Sequence, residues 1–117
     1  MLKRSLMAPV VLSVLLIGSC SRTTPLDDAR LRDSNQDTNN WLMYGRTYDD
    51  HRFSPLKQIS EETVGKLGLA WSRDLGTTRG LEATPLVEDG IIYATGSWSV
   101  VYAIDAAHGK KLKTFQA

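Results

Sequence analysis

The apolar positions of this chain fall into three zones of different character. Leu6 to Ile17 is a continuous apolar stretch behind the basic pair Lys3 and Arg4. At about a dozen residues it has the length of an export-signal core and is short for a membrane span. Pro9 inside it also suits a spanning helix poorly. Ser21 to Asn40 is polar and rich in Asp, Asn, Arg, Thr and Ser, which reads as a linker or extended arm. From Leu67 onward, short apolar runs alternate with turn residues. That pattern predicts strands at Leu67–Leu75, Thr84–Val87, Ile91–Thr95, Val100–Asp105 and Leu112–Phe115. Asp89-Gly90 is the strongest hairpin signal, and turns are expected at Gly96-Ser97 and across Ala106 to Gly109. The chain thus divides into a signal peptide over 1–20, an arm with a short helix over 21–66, and strands over 67–117.

Within the arm, Trp41, Leu42, Tyr44, Tyr48, Phe53 and Leu56 are scattered without strand or helix period. Such a stretch is an irregular segment pinned by aromatic anchors. Ser60-Glu61-Glu62 opens a short helix with Ser60 as N-cap and two acids on its dipole, and Gly65 and Gly68 keep it short.

The strands are apolar at consecutive positions, as in Ile91-Ile92-Tyr93 and Val100-Val101-Tyr102. Short strands at regular spacing with tight turns indicate a meander in a sandwich, barrel or propeller. Consecutive apolar positions indicate that both sheet faces are covered. One four-stranded sheet cannot cover both of its own faces, so other sheets must pack there, and these are not encoded in the chain.

Charge narrows the functional classes. Leaving out Lys3 and Arg4, 12 basic residues face 13 acidic ones. A near-neutral chain has no field to hold nucleic acid or an anionic membrane surface. The single cysteine, Cys20, excludes an intrachain disulfide and any CxxC or Cys/His zinc pattern. His51 and His108 lie far apart with no partner pattern. Asp33-Ser34-Asn35-Gln36-Asp37 has the D-x-N-x-D start of a calcium loop, but Thr38 stands where glycine is needed and Tyr44 where the bidentate glutamate would be. A solvated loop is the better reading.

Leu16-Ile17-Gly18-Ser19-Cys20 resembles the bacterial lipobox, which implies a lipid anchor on Cys20. The alternative is ordinary cleavage near Ser19 with Cys20 incidental. Either way the mature chain is expected outside the cytoplasm, in the periplasm, free or as a membrane-anchored lipoprotein.

Three stretches carry a family resemblance. Trp41-Leu42-Met43-Tyr44-Gly45-Arg46 with Arg52-Phe53-Ser54-Pro55-Leu56, Val64-Gly65-Lys66-Leu67 to Trp71-Ser72, and Arg79-Gly80-Leu81-Glu82-Ala83-Thr84-Pro85-Leu86 resemble, in order, the opening of PQQ-dependent methanol and ethanol dehydrogenases. Ala103 to Lys110 adds a stretch generic to propeller repeats. The resemblance implies an all-β fold. The strands over 67–117 would be the first blade of an eight-bladed β-propeller built of four-stranded sheets, truncated here and preceded by its N-terminal arm.

By the same resemblance, PQQ and a calcium ion are the cofactors, and a primary alcohol is oxidised to an aldehyde with electrons passed to a cytochrome c. The metal acts as a Lewis acid and an aspartate as general base. One cofactor residue carries over: Glu82 matches the glutamate that contacts PQQ. An ionised Glu only accepts hydrogen bonds, so Glu82 must meet the pyrrole N–H of PQQ or be protonated and donate. The vicinal cysteines, the metal ligands, the catalytic aspartate and the arginine near the quinone have no counterpart, so this segment holds no catalytic or metal-ligating residue. Lys113 stands where the docking repeat has tryptophan, and His108 replaces its usual threonine. Lys113 and Phe115 put proper docking of this blade in doubt, or mark a frame-shifted or abridged end.

The remaining candidates are structural. Trp71 is expected to pack the blade, and Trp98 to face either the propeller axis or solvent. Arg46 and Arg52 are expected to act as stacking or ion-pair anchors, and Asp105 to bind the backbone of the next turn. Two other readings compete: a cofactor-free propeller lipoprotein serving as an outer-membrane assembly scaffold, and a nonfunctional remnant. A lone blade leaves apolar faces and free edges, so the chain alone is expected to be poorly soluble or partly unfolded.

Overall fold

Four strands follow one another in an up-and-down antiparallel sheet, in the spatial order of the chain. They are β1 (Leu86–Glu88), β2 (Ile91–Thr95), β3 (Val100–Asp105) and β4 (Lys111–Gln116). The structure is a computed structural model that describes residues 25–116. The stretch expected to be a signal peptide, 1–20, with Cys20, and the first residues of the arm lie outside the described residues.

Turn chemistry sets the register. Asp89 and Gly90 form a two-residue loop with φ of 47° and 81°. Positive φ at both central positions matches the right-handed twist of the flanking strands. Glu88 therefore pairs with Ile91, and Val87 with Ile92. Between β2 and β3 the loop holds Trp98 and Ser99 at φ of 62° and 57°, and the Gly96 N–H donates to the Val100 carbonyl at 2.7 Å. The third turn is built on Asp105. Its Oδ1 accepts from the backbone N–H groups of Ala107 and His108 at 2.8 and 3.1 Å, the role expected of it. Between β3 and β4 the pairing slips from Ala103–Lys113 to Ile104–Lys111. Leu112 is the extra residue of a bulge that twists this outer strand.

The core is small. Leu42, Ala103 and Ile104 are its buried apolar residues among those described. Ala103 and Ile104 are adjacent on β3 and face opposite sides of the sheet. Both faces are therefore covered at this point, while Ile91, Ile92, Tyr93, Val100, Val101 and Tyr102 are only half-buried. β4 is exposed along its whole length, with Leu112 and Phe115 open to solvent.

Of the two readings of the polar segment, linker or extended arm, its described part is an arm docked on the sheet. It contains a short helix, α1 (Asp28–Arg32), capped by the Asp27 carboxylate, which accepts from the Arg30 N–H at 2.8 Å. Asp28 lies in its first turn and Arg30 and Arg32 in its last, the order the helix dipole favours. Five residues are too few to display a helical period. Arg30 reaches the β1–β2 hairpin, with Nη1 2.9 Å from Glu88 Oε1 and Nη2 3.0 Å from Asp89 Oδ1. Asn40 Oδ1 accepts from the Asp89 N–H at 2.8 Å. Trp41 and Val87 exchange two backbone hydrogen bonds, both 2.9 Å. The arm thus occupies the free edge of β1, which would otherwise be open to pairing with another chain.

Two expectations differ from the structure. Leu67–Leu75 forms no strand. A strand exists by sharing its ladder, and among the described residues this segment has no ladder neighbour. The helix expected after Ser60 is only a 3₁₀ turn, Val64–Lys66, whose N-cap Thr63 makes no side-chain cap. Ser60 contributes its backbone instead: its carbonyl accepts from Val64 N–H at 2.8 Å. Its hydroxyl is taken by Glu62, whose carboxyl is thereby held below the usual carboxylate range.

Candidate cofactor site

Leu86 pairs with Tyr93, so the chain enters β1 from the end of the sheet that carries the 96–99 turn. The loop leading into that entry bears Glu82. Three contacts bind the loop to this end of the sheet, one from β3 and two from the turn. The Tyr102 hydroxyl donates to the Leu75 carbonyl at 2.9 Å. The hydroxyls of Thr77 and Ser97 lie 2.9 Å apart. The Arg79 guanidinium stacks over the indole of Trp98, 4.8 Å from the ring centroid, a favourable electrostatic arrangement. The backbone N–H of Arg79 also donates to Thr77 Oγ1 at 3.2 Å.

Local sequence explains the geometry. Gly96 lies under the Tyr102 ring, and a β-carbon there would stand 2.6 Å from Tyr102 Cε2. Glycine is needed for this close approach rather than for backbone freedom. Trp98 holds a left-handed conformation that bulky residues avoid, and it presents its indole outward at 75% exposure. The sequence left Trp98 between the axis and solvent. In the structure it is exposed and covered on one side by Arg79.

Beyond Arg79, no side-chain hydrogen bond or ion pair among the described residues ties the chain until β1. Glu82 is exposed there and makes no hydrogen bond or ion pair among the described residues. A carboxyl group with no partner among the described residues fits a polar group of PQQ: ionised, it would accept the pyrrole N–H, and protonated, it would donate. Among the described residues, no group of three His, Cys, Asp or Glu side chains is placed to hold a metal ion. In the D-x-N-x-D stretch, both Asp37 oxygens accept from Asn40 Nδ2, at 3.1 and 2.8 Å, and Arg30 lies 3.7 Å from one of them.

The other residues singled out in the sequence take structural places. Trp71 Nε1–H donates to the Ala106 carbonyl at 3.0 Å, seating the indole on the β3–β4 turn. Arg52 stacks over Tyr44 at 4.4 Å and pairs with Asp50 at 3.4 Å. Arg46 is buried and donates to the Asp37 carbonyl at 3.3 Å. Both arginines are anchors within the arm. Sequence reasoning missed Tyr102, Thr77 and Ser97, whose tethers join residues 20 or more positions apart. The one local signal was Gly96 before a bulky turn.

Comparison with known proteins matches this architecture. Residues 41–117 match the family model for the PQQ glucose/ethanol/alcohol dehydrogenase β-propeller domain. Over 92% of its length the chain is 49% identical to the quinohemoprotein alcohol dehydrogenase ADH-IIG of Pseudomonas putida, of which it spans 15%. It is 51% identical over 64% of its length to the 1-butanol dehydrogenase (cytochrome c) of Thauera butanivorans, of which it spans 11%. The solved structure of the Pseudomonas putida ADHIIG enzyme superposes with a TM-score of 0.74 at 52% identity, over 78% of this chain and 13% of that one. With the motifs, the four-stranded blade and these matches in agreement, the chain belongs to the PQQ-dependent alcohol dehydrogenase family of β-propellers.

Proposed function

We propose that this chain is the N-terminal part of a periplasmic PQQ-dependent dehydrogenase that oxidises primary alcohols to aldehydes and passes electrons to a cytochrome c. The observation that carries the reading is the Arg79-to-Pro85 loop, which ends at the entry of β1 and bears Glu82, a side chain with no hydrogen bond or ion pair among the described residues. Glu82 would accept the pyrrole N–H of PQQ and so orient the cofactor in its plane. When bound, PQQ supplies the hydride acceptor. A calcium ion, with ligands outside this segment, would polarise it. The cytochrome c partner is supported by a relative named for that acceptor. Export through the 1–20 signal, with Cys20 as a lipid anchor, rests on the basic, apolar and lipobox order of the sequence.

The test is reconstitution of the full-length protein carrying this segment with PQQ and calcium, followed by dye-linked oxidation of primary alcohols. Turnover is expected, with weakened PQQ binding in Glu82→Gln. Absence of alcohol oxidation in a folded, PQQ-loaded protein would refute the reading.

A further inference from the structure

We infer that Tyr102 and Ser97 are positioning residues that fix Glu82 for the cofactor, acting through the loop that carries it. The inference rests on the reading of Glu82 as a PQQ contact and goes beyond it. Neither residue touches Glu82. Each instead holds a point upstream of it: Tyr102 the Leu75 carbonyl, and Ser97 the Thr77 hydroxyl. Trp98, from the same turn, holds the Arg79 side chain. The three anchor points are two residues apart, and the last precedes Glu82 by three. Three residues reach at most about 10 Å. Downstream, Leu86 is already locked to Tyr93 in the sheet. Glu82 therefore sits in a short span clamped at both ends, although its own side chain binds nothing among the described residues.

The anchoring side is rigid for a stated reason. Tyr102 belongs to β3, paired with Ala94 on one side and Thr114 on the other, and its ring is backed by Gly96. The strain of two consecutive left-handed residues, Trp98 and Ser99, persists only if the surroundings over-determine it. A carboxylate that must meet one N–H of a flat cofactor needs placement to about half an ångström. Tethers to a sheet supply that placement where a free loop does not.

The experiment is a double-mutant cycle on PQQ affinity, measured by equilibrium titration of the full-length apoprotein, with no activity readout required. Tyr102→Phe keeps the ring and deletes the donor. It is expected to weaken PQQ binding about threefold to tenfold. Ser97→Ala is the second probe, in case the first disturbs folding. In a Glu82→Ala background neither change should weaken binding further, because the group they position is already lost. Full additivity, or unchanged affinity in both single variants, overturns the positioning role while Glu82 stands. Unchanged affinity in Glu82→Ala alone overturns the Glu82 contact itself, and the positioning role with it.

Discussion

The indole of Trp71 lies against the backbone of Gly109: a β-carbon added at Gly109 would stand 2.5 Å from Trp71 Cε3 and 2.6 Å from Cδ2. Gly109 also holds φ of 64°, a region that L side chains rarely adopt. Gly109→Ala therefore meets both backbone strain and overpacking, and is expected to destabilise the fold by about 2–4 kcal/mol. Urea unfolding of the full-length protein carrying this segment, followed by tryptophan fluorescence, measures it. Gly65→Ala is the control, since a methyl group at Gly65 would meet nothing within 4 Å, and it should change stability by less than about 0.5 kcal/mol.

Trp71→Phe separates the two parts of that contact. The ring still covers Gly109, but the hydrogen bond to the Ala106 carbonyl is lost. A loss of about 1 kcal/mol is expected, with Gly109→Ala less damaging in this background because the smaller ring leaves room. Equal damage in both backgrounds would mean that strain alone, not the indole, makes glycine necessary.

Asp105 gives the β3–β4 turn a pH dependence. The side-chain hydrogen bond with His108 is the main cause that holds its carboxyl below the usual aspartate range, opposed by partial desolvation and aided by the His108 and Ala107 backbone N–H groups. A carboxyl with a lowered folded pKa binds fewer protons in the native state. Its stabilisation is complete above the ordinary aspartate value of about 4. It is lost as pH falls from there through the lowered value. Acid titration of the melting temperature should therefore be shallower in Asp105→Asn below about pH 4. Parallel curves for the two proteins would reject the assignment.

Arg30 is the ionic link between the arm and the sheet. In Arg30→Met the Glu88 and Asp89 contacts are lost, and the backbone amides of Trp41 and Val87 should exchange with deuterium severalfold faster. Added salt should speed the same amides in the parent chain, because screening weakens partly exposed pairs. Salt-independent exchange at both amides would show that the backbone bridge holds without the arginine.

The 117-residue chain by itself is expected to show neither tight PQQ binding nor alcohol turnover after addition of PQQ and calcium. One contact, the one proposed for Glu82, cannot replace a site. Dye-linked assay and cofactor titration of the isolated chain measure both, and saturable PQQ binding at micromolar concentration would contradict this expectation.

Local chemistry made much of this protein legible before any tertiary structure. Asp89-Gly90 named its own hairpin, because only residues tolerant of positive φ close a two-residue loop. Ile91–Thr95 and Val100–Asp105 appeared at their observed bounds because apolar runs framed by turn residues have few alternatives. The Arg79-to-Pro85 motif pointed to Glu82 by resemblance. The tertiary structure alone decided which segments found partners. Leu67–Leu75 has strand composition but no ladder to join among the described residues, whereas the polar arm, without a strand signal, docks through Arg30, Asn40 and Trp41. The tethers from Tyr102 and Ser97 were equally invisible, since they join residues distant in sequence. Periodicity reports how a residue relates to its near neighbours. Which distant groups it meets depends on how the strands turn, and on what edge they leave free.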